Sequence, residues 1–399
     1  MAKFIYKARN WEGKIVTAEV EGDSKESVVQ KLRERGFFVT SIKEKAKEMV
    51  LFQKKVAPKE VSIFARQFAT MIGSGVPLVR CLNILQEQMD NPRFCDIIRK
   101  LRQDVEAGAT FSAALEKHPS IFSNLFVNLV KAGEAGGILD EILERLANYL
   151  ESSEELKAKV KGALTYPAVV ICIAMGVVVF LLTFVLPSFQ SIFEGMGNVE
   201  LPLPTKILLD TSNFMREYFV FLAIAFGMAV VGIKKFFATK QGVRILDTNI
   251  LKMPALGMML KKVAVARFTR TLGTLIASGV PILQALEVTA ETAGNVVIAD
   301  AVHKTRISIK EGESIAEPLK QSKVFPPMVV QMIAVGEETG ELDAMLTKIA
   351  DFYDSEVDTS VKALTSVIEP IIIVFMGLVI GGIVMAIFMP MLKLVNMNQ

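Results

Sequence analysis

The phrase GEAGGILDE places two carboxylates, Glu134 and Asp140, six residues apart. GEETGELDA repeats the spacing with Glu337 and Asp343. A pair of acids can begin a site for a hard cation such as calcium, which makes Glu134 and Asp140 the candidate metal ligands. Two carboxylates fall short of the roughly six to eight oxygens that calcium takes. The two histidines, His118 and His303, are too few for a His-based metal centre. The sequence contains no G-x-x-x-x-G-K-[ST], no H-E-x-x-H and no G-x-S-x-G. It therefore offers no phosphate loop, zinc helix or nucleophile elbow, and no catalytic residue or cofactor is expected.

A helix joint accounts for most of the phrase. Gly133 and Gly336 end one helix, and Gly137 and Gly340 allow the positive φ of a tight turn. Asp140 and Asp343 then fall in the first turn of the next helix, where an acid complements the dipole. Leu139 and Leu342 begin its buried stripe. Glu134 and Glu337 fit less well, because an acid near a helix C-terminus opposes the dipole by some tenths of a kcal/mol. An arginine, a cation or another protein would explain them, and they are the candidate contact residues.

The elements that must position this joint are helical. Leu139, Leu143, Leu146 and Leu150 fall at steps of 4, 3 and 4, and Leu342, Leu346, Ile349 and Tyr353 repeat the pattern. Such spacing marks a helix with one buried face. Pro58-Lys59-Glu60 starts a first helix, and Val76-Pro77 and Val280-Pro281 each end one helix and begin another. Thr110 and Ser314 can cap short helices, and Phe122 to Ala132 forms the next. Arg66 and Arg270 occupy matching positions and should bridge to local acids. Residues 1–48 differ: FIYKARN, KIVTAEVEG and FFVTSIK alternate like strands, with a turn at Glu12-Gly13 and a helix from Ser24 to Arg35. This is a small α/β module, followed by a linker at 49–57.

Three stretches have the composition of membrane spans. The chain is 51% apolar and only 22% charged, below the roughly 25% of an average soluble domain. Residues 168–186 and 371–392 run for nineteen and twenty-two positions without a charge. Residues 219–233 give fifteen more, flanked by Arg216 and Lys234, which can snorkel. A span needs about 20. Lys157, Lys159 and Lys161 precede the first stretch, and Lys234, Lys235, Lys240 and Arg244 follow the second. By the positive-inside rule the N-terminus is cytoplasmic and the C-terminal tail is outside. MAKFIYKARNWEG has no apolar core, so no cleaved signal peptide is expected. The spans carry no charge, which disfavours a transporter. The net charge of +3 is close to balance and argues neither for nor against nucleic acid, and no nucleic-acid partner is expected. Cys81, Cys95 and Cys172 read as free thiols. Tyr166, Pro167, Glu369 and Pro370 mark entry into the first and third spans. Gly377 and Gly381 form a small-xxx-small pattern suited to helix packing.

The joint belongs to a larger repeat. At an offset of 204 residues, SGVP at 74–77 recurs at 278–281, Phe64 matches Phe268 and Arg66 matches Arg270. After one deletion the offset is 203: Phe122 matches Phe325, Pro167 matches Pro370 and Pro187 matches Pro390. Each copy is thus a soluble helical domain leading into an outward span. Two tandem copies need an unrepeated return helix between them, and 219–233 supplies it. The expected order is a domain at 58–166, a span at 167–187, a periplasmic segment at 188–215, a span at 216–235 and a connector at 236–261. A second domain at 262–369, a span at 370–392 and a tail at 393–399 complete it. The fold class is a mainly all-α membrane protein with two duplicated cytoplasmic helical bundles, three transmembrane helices and the small N-terminal α/β module.

These features resemble the inner-membrane platform proteins of type IV pilus assembly and type II secretion. The likeness covers FIYKARNWEGK, the paired SGVP and GE-x-x-G-x-LD motifs, TYPAVV before the first span and IEPIII before the third. VELPLPTK, QMIAVGEETGELD and DFYDSEVD look like the pilus branch. The resemblance implies a non-enzymatic platform between a cytoplasmic hexameric ATPase and pilins in the bilayer. It further implies contact with other inner-membrane alignment components and a homo-oligomer, for which a dimer suits a central position.

Overall fold

A computed structural model describes residues 2–9, 15–22, 29, 36, 38–44, 55–189, 202–254 and 256–397. The chain divides into two units, Met1–Lys55 with Asn91–Arg93, and the remainder. In the first, β1 (Ala2–Arg9), β2 (Ile15–Gly22) and β3 (Phe38–Glu44) form an antiparallel sheet in the order β2-β1-β3. Ala2 faces Gly22 and Arg9 faces Ile15, while Phe4 faces Glu44 across the other edge of β1. The expected turn at Glu12-Gly13, most of the expected helix from Ser24 to Arg35 and most of the linker lie outside the described residues.

The second unit is helical and built twice. The first copy runs α1 (Pro58–Gly73), α2 (Leu78–Gln88), α3 (Pro92–Glu106), α4 (Phe111–Glu116), α5 (Asn124–Gly136) and α6 (Leu139–Phe180). A π-helical turn, Leu181–Val185, continues α6 to Phe189. Then come α7 (Leu203–Glu217), α8 (Phe219–Phe237) and α9 (Lys240–Ile250). The second copy is α10 (Leu256–Ala277), α11 (Ile282–Thr292), α12 (Val296–Lys310), α13 (Ala316–Gln321), α14 (Pro327–Thr339) and α15 (Leu342–Met397). Thus α10 to α15 repeat α1 to α6.

Both SGVP segments act as expected. Gly75 and Gly279 adopt φ of 80° and 76°, and the Val76 and Val280 amides reach back to the carbonyls of Met71 and Leu275 at 3.0 Å. This closes one helix, and proline, lacking an amide, opens the next.

The two copies fill equivalent cores differently. Phe64, Phe68, Phe94, Phe111, Phe122 and Phe126 are all buried in the first. Their counterparts in the second are Phe268, Leu272, Ile298, Ile315, Phe325 and Val329, also buried. Only the pair on the first helix and before the fifth stays aromatic in both, with ring centroids 6.0 Å apart for Phe64–Phe122 and 4.7 Å for Phe268–Phe325. Edge-to-face and offset aromatic contacts add to area burial, so this pair anchors each bundle.

Three helices are long and apolar enough to cross a membrane: Leu139–Phe189, Phe219–Phe237 and Leu342–Pro390. Pro167 and Pro370 lie inside continuous helices rather than at breaks. Each removes one backbone donor, which neighbouring groups at a membrane surface can compensate. The consequence is a single helix running from the joint through the span. The 42 residues of α6 extend over about 63 Å and the 56 of α15 over about 84 Å.

Replacing Phe64 or Phe268 by Ala should cost about 3–5 kcal/mol of stability. A thermal-unfolding comparison of the purified full chain checks it; an unchanged midpoint would show that the pair does not anchor the bundles.

Candidate functional site

The helix before each turn runs about one helical turn further than the sequence pattern suggests. Gly133 and Gly336 lie inside α5 and α14, which continue to Gly136 and Thr339. They are buried, not terminal, because the following helix presses on them. A Cβ on Gly133 would meet Ile142 at 3.0 Å and the Leu139 backbone at 3.2 Å. On Gly336 it would meet the Leu342 backbone at 3.0 Å and Met345 at 3.1 Å. The chain reverses at Gly137 and Gly340, whose φ values of 68° and 76° place them in the left-handed region. Leu139 and Leu342 pack against the core. Asp140 and Asp343 fall in the first turns of α6 and α15.

Glu134 and Glu337 find partners within the chain. The Phe111 amide donates to one Glu134 carboxylate oxygen at 2.6 Å, and the Ser112 amide donates to the other at 3.1 Å. The Ser112 hydroxyl donates to the second oxygen at 2.5 Å. In the second copy the Ile315 amide donates to both oxygens of Glu337, at 2.9 and 3.0 Å. Each glutamate therefore caps the N-terminus of the short helix α4 or α13. The unfavourable end of its own helix is offset by the favourable end of another. Thr110 and Ser314 add their side-chain oxygens as acceptors for Ala113 and Glu317 amides, both at 3.3 Å. The carboxylate oxygens face N–H and O–H donors, a set that suits an anion rather than a cation. Among the described residues no group of three or more His, Cys, Asp or Glu could hold a metal.

Two arginines fasten the first helix of each copy to the last. Arg66 donates to Glu144 at 2.6 Å, to Glu151 at 2.5 and 2.7 Å, and to Asn148. Arg270 donates to Asp351 at 2.8 Å and Asp354 at 2.6 Å, the counterparts of Asn148 and Glu151. The hydrogen bonds from Arg66 hold the Glu151 carboxyl below its usual range. Cys81 and Cys95 are free, and burial pushes both thiols up, away from reactivity.

The membrane-entry residues separate. Pro167 is buried, whereas Tyr166, Glu369 and Pro370 are exposed. Gly377 and Gly381 are exposed too, and nothing lies within 4 Å of a Cβ on either. The α8 helix buries none of its residues.

One part of the membrane region was not legible as an element. Within the segment read as a periplasmic connection, α7 packs on the ends of the first and third spans through Thr205, Leu209 and Ser212, all buried. The Thr205 hydroxyl donates to the Ala386 carbonyl at 2.5 Å. The Ser212 hydroxyl donates to the Leu182 carbonyl, inside the π-turn. A π-turn displaces carbonyls from their usual ladder, which leaves an acceptor for such a hydroxyl. The steps of 4 and 3 between these residues are helical, but two of the three are polar, so an apolar periodicity search passes over them.

Gln at Glu134 or Glu337 should lower stability by about 1–2 kcal/mol per site, since charge-assisted caps are lost; equal melting temperatures of variant and parent would contradict this role. The depressed Glu151 carboxyl contributes stability above its unfolded value of about 4.3, lost as pH falls through the folded value. Melting curves between about pH 3 and 6 should therefore fall less steeply for Glu151→Gln than for the parent.

The family model described as type II secretion system protein F matches residues 64–187 and again 268–390, and its N-terminal-domain model matches residues 1–43. A type IV pilus assembly protein PilC of Myxococcus xanthus is 46% identical over 100% of this chain and 96% of its own length. One of Thermus thermophilus is 43% identical over 99% of both chains. A type II secretion system protein F of Vibrio cholerae is 33% identical over 100% of this chain and 99% of its own. The twice-matched model coincides with the two copies of bundle and span, and with relatives covered end to end the chain belongs to the type II secretion system protein F family, as a membrane component of the pilus and secretion machines.

Proposed function

We propose that this protein is the non-enzymatic inner-membrane platform of a type IV pilus machine. It couples a cytoplasmic hexameric ATPase to insertion of pilins into the growing fibre. The observation that carries this reading is the uninterrupted helix from each joint to each span. A rotation or tilt of either bundle reaches the bilayer through α6 or α15 with no loop to absorb it. Lys157, Lys159 and Lys161 before the first span favour a cytoplasmic side for the bundles, and thus a periplasmic C-terminus. The exposed apolar flanks of the spans suit both lipid and the apolar helices of pilins. The platform works as a homo-oligomer, alongside other inner-membrane alignment components.

The pilus branch is favoured over secretion by the identities of 46% and 43% to pilus proteins against 33% to a secretion protein. Deleting the gene should abolish surface fibres, and affinity purification of the full-length chain from membranes should recover a hexameric ATPase. Normal fibres with failed protein secretion would move the reading to the type II branch. Solute flux through vesicles containing this chain alone would replace a coupler with a conducting component.

A further inference from the structure

The two copies meet through different faces. The first copy contributes α5 and α6, and the second contributes α10, α11 and α15. Asn124 donates to Glu291 at 2.7 Å, Gln284 donates to Asn128 at 2.7 Å, and the Tyr149 and Thr271 hydroxyls lie 3.1 Å apart, buried. Lys159 reaches Asp358 at 3.1 Å. In the spans, Ile171, Ala174, Met175 and Val178 of α6 share an apolar groove with Ile371, Ile372, Phe375 and Met376 of α15. Among the described residues none of these pairs has its reciprocal. The contact is heterologous, head to tail, not a two-fold.

A heterologous contact between duplicated units leaves one half of itself open at each end. The counterpart of the α5–α6 face is α14–α15. Phe352 stands there in place of Tyr149 and is 48% exposed, whereas Tyr149 is 8% exposed. In the span the counterparts of Ile171, Ala174, Met175 and Val178 are Val374, Gly377, Leu378 and Gly381, all exposed, although Ile171 and Met175 are exposed too, so the contrast in burial is confined to the bundles. At the other end, the counterpart of the α10–α11 face is α1–α2. Ile63 is exposed there, and Gln67, in place of Thr271, is half-buried. In the span the counterparts of Ile371, Ile372, Phe375 and Met376 are Ala168, Val169, Cys172 and Ile173, exposed as well.

Two of the four polar pairs keep counterparts of complementary chemistry, whereas Asn124–Glu291 corresponds to Pro327 and Glu87, and Tyr149–Thr271 to Phe352 and Gln67, which cannot repeat those bonds. The Lys159–Asp358 pair corresponds to Lys362 at one end and Glu155 at the other, the latter held at 2.9 Å by Lys159. The Asn128–Gln284 pair corresponds to Gln331 and Arg80. Gly377 and Gly381 lack the side chains that Ala174 and Val178 carry, so a helix can approach this flank closely.

We propose that the interface joining the two copies is repeated between chains. The α14–α15 face of one molecule docks on the α1–α2 face and the Ala168–Ile173 flank of a second copy, and heterologous contacts of this kind close into a ring when their rotation permits. The inference deepens the homo-oligomer of the reading above and rests on the duplication for its geometry.

The test is cysteine cross-linking of full-length chains in membranes, with two differently tagged forms co-expressed. In a Cys172→Ala background, one form carries Gln67→Cys and the other Phe352→Cys, the counterparts of Thr271 and Tyr149. A second pair keeps native Cys172 in one form and carries Leu378→Cys in the other. Each mixture should give a two-chain product that neither form gives alone. Lys362→Glu should reduce its yield, and adding Glu155→Lys should restore it. Oligomers of unchanged mass without either product would overturn the head-to-tail surface while leaving the homo-oligomer standing. A product from Phe352→Cys alone would show a two-fold contact and overturn it too. A monomeric chain would remove both.

Discussion

The crossing of the last two helices in each copy depends on a contact that a side-chain carbon would enter only if its neighbours gave way. Gly133 and Gly336 let α6 and α15 pass so close that a methyl group would press on Ile142 and the Leu139 backbone in one copy and on Met345 and the Leu342 backbone in the other. The glutamate beside each glycine then ties the same turn to a third helix by capping α4 or α13. A left-handed glycine completes the reversal. The joint therefore sets the direction in which each long helix leaves its bundle, and everything in the membrane inherits that direction.

The long helices hold their course because their outer ends are fastened as well. Arg66 and Arg270 clamp the first helix of each copy along the last. Near the far ends of the spans, Thr205 and Ser212 fix α7 to the carbonyls of the third and first spans. In a medium without water an unpaired hydroxyl or carbonyl is costly, so two such bonds specify where α7 docks. The return helix α8 has no comparable tie among the described residues and buries none of its residues.

Duplication gave the two copies the same joints but not the same neighbours. The first copy's α5–α6 surface buries Tyr149 against the second copy, while the equivalent α14–α15 surface carries Phe352 to the outside. The polar positions diverged with their surroundings, as at Tyr149 and Phe352. The buried aromatic pair and the clamp arginines did not, because their surroundings are the same in both copies.

Residue types and spacing alone determined the helical class, the three spans, the duplication, the SGVP reversals and the left-handed glycines of the joints. Each is a local property: an apolar run, a period of 3.6, a glycine where φ must be positive, or a phrase written twice. The partner of Glu134 was not among them. Its ligands, the amides of Phe111 and Ser112, lie more than twenty residues back and belong to backbone, which carries no sequence signal. The docking of α7 through two hydroxyls was hidden for the same reason, since backbone carbonyls of any residue can accept them. Only the tertiary structure decided which face of one copy meets the other. That choice depends on how two nearly identical surfaces are brought together, and a repeat in sequence is silent about which of them is covered.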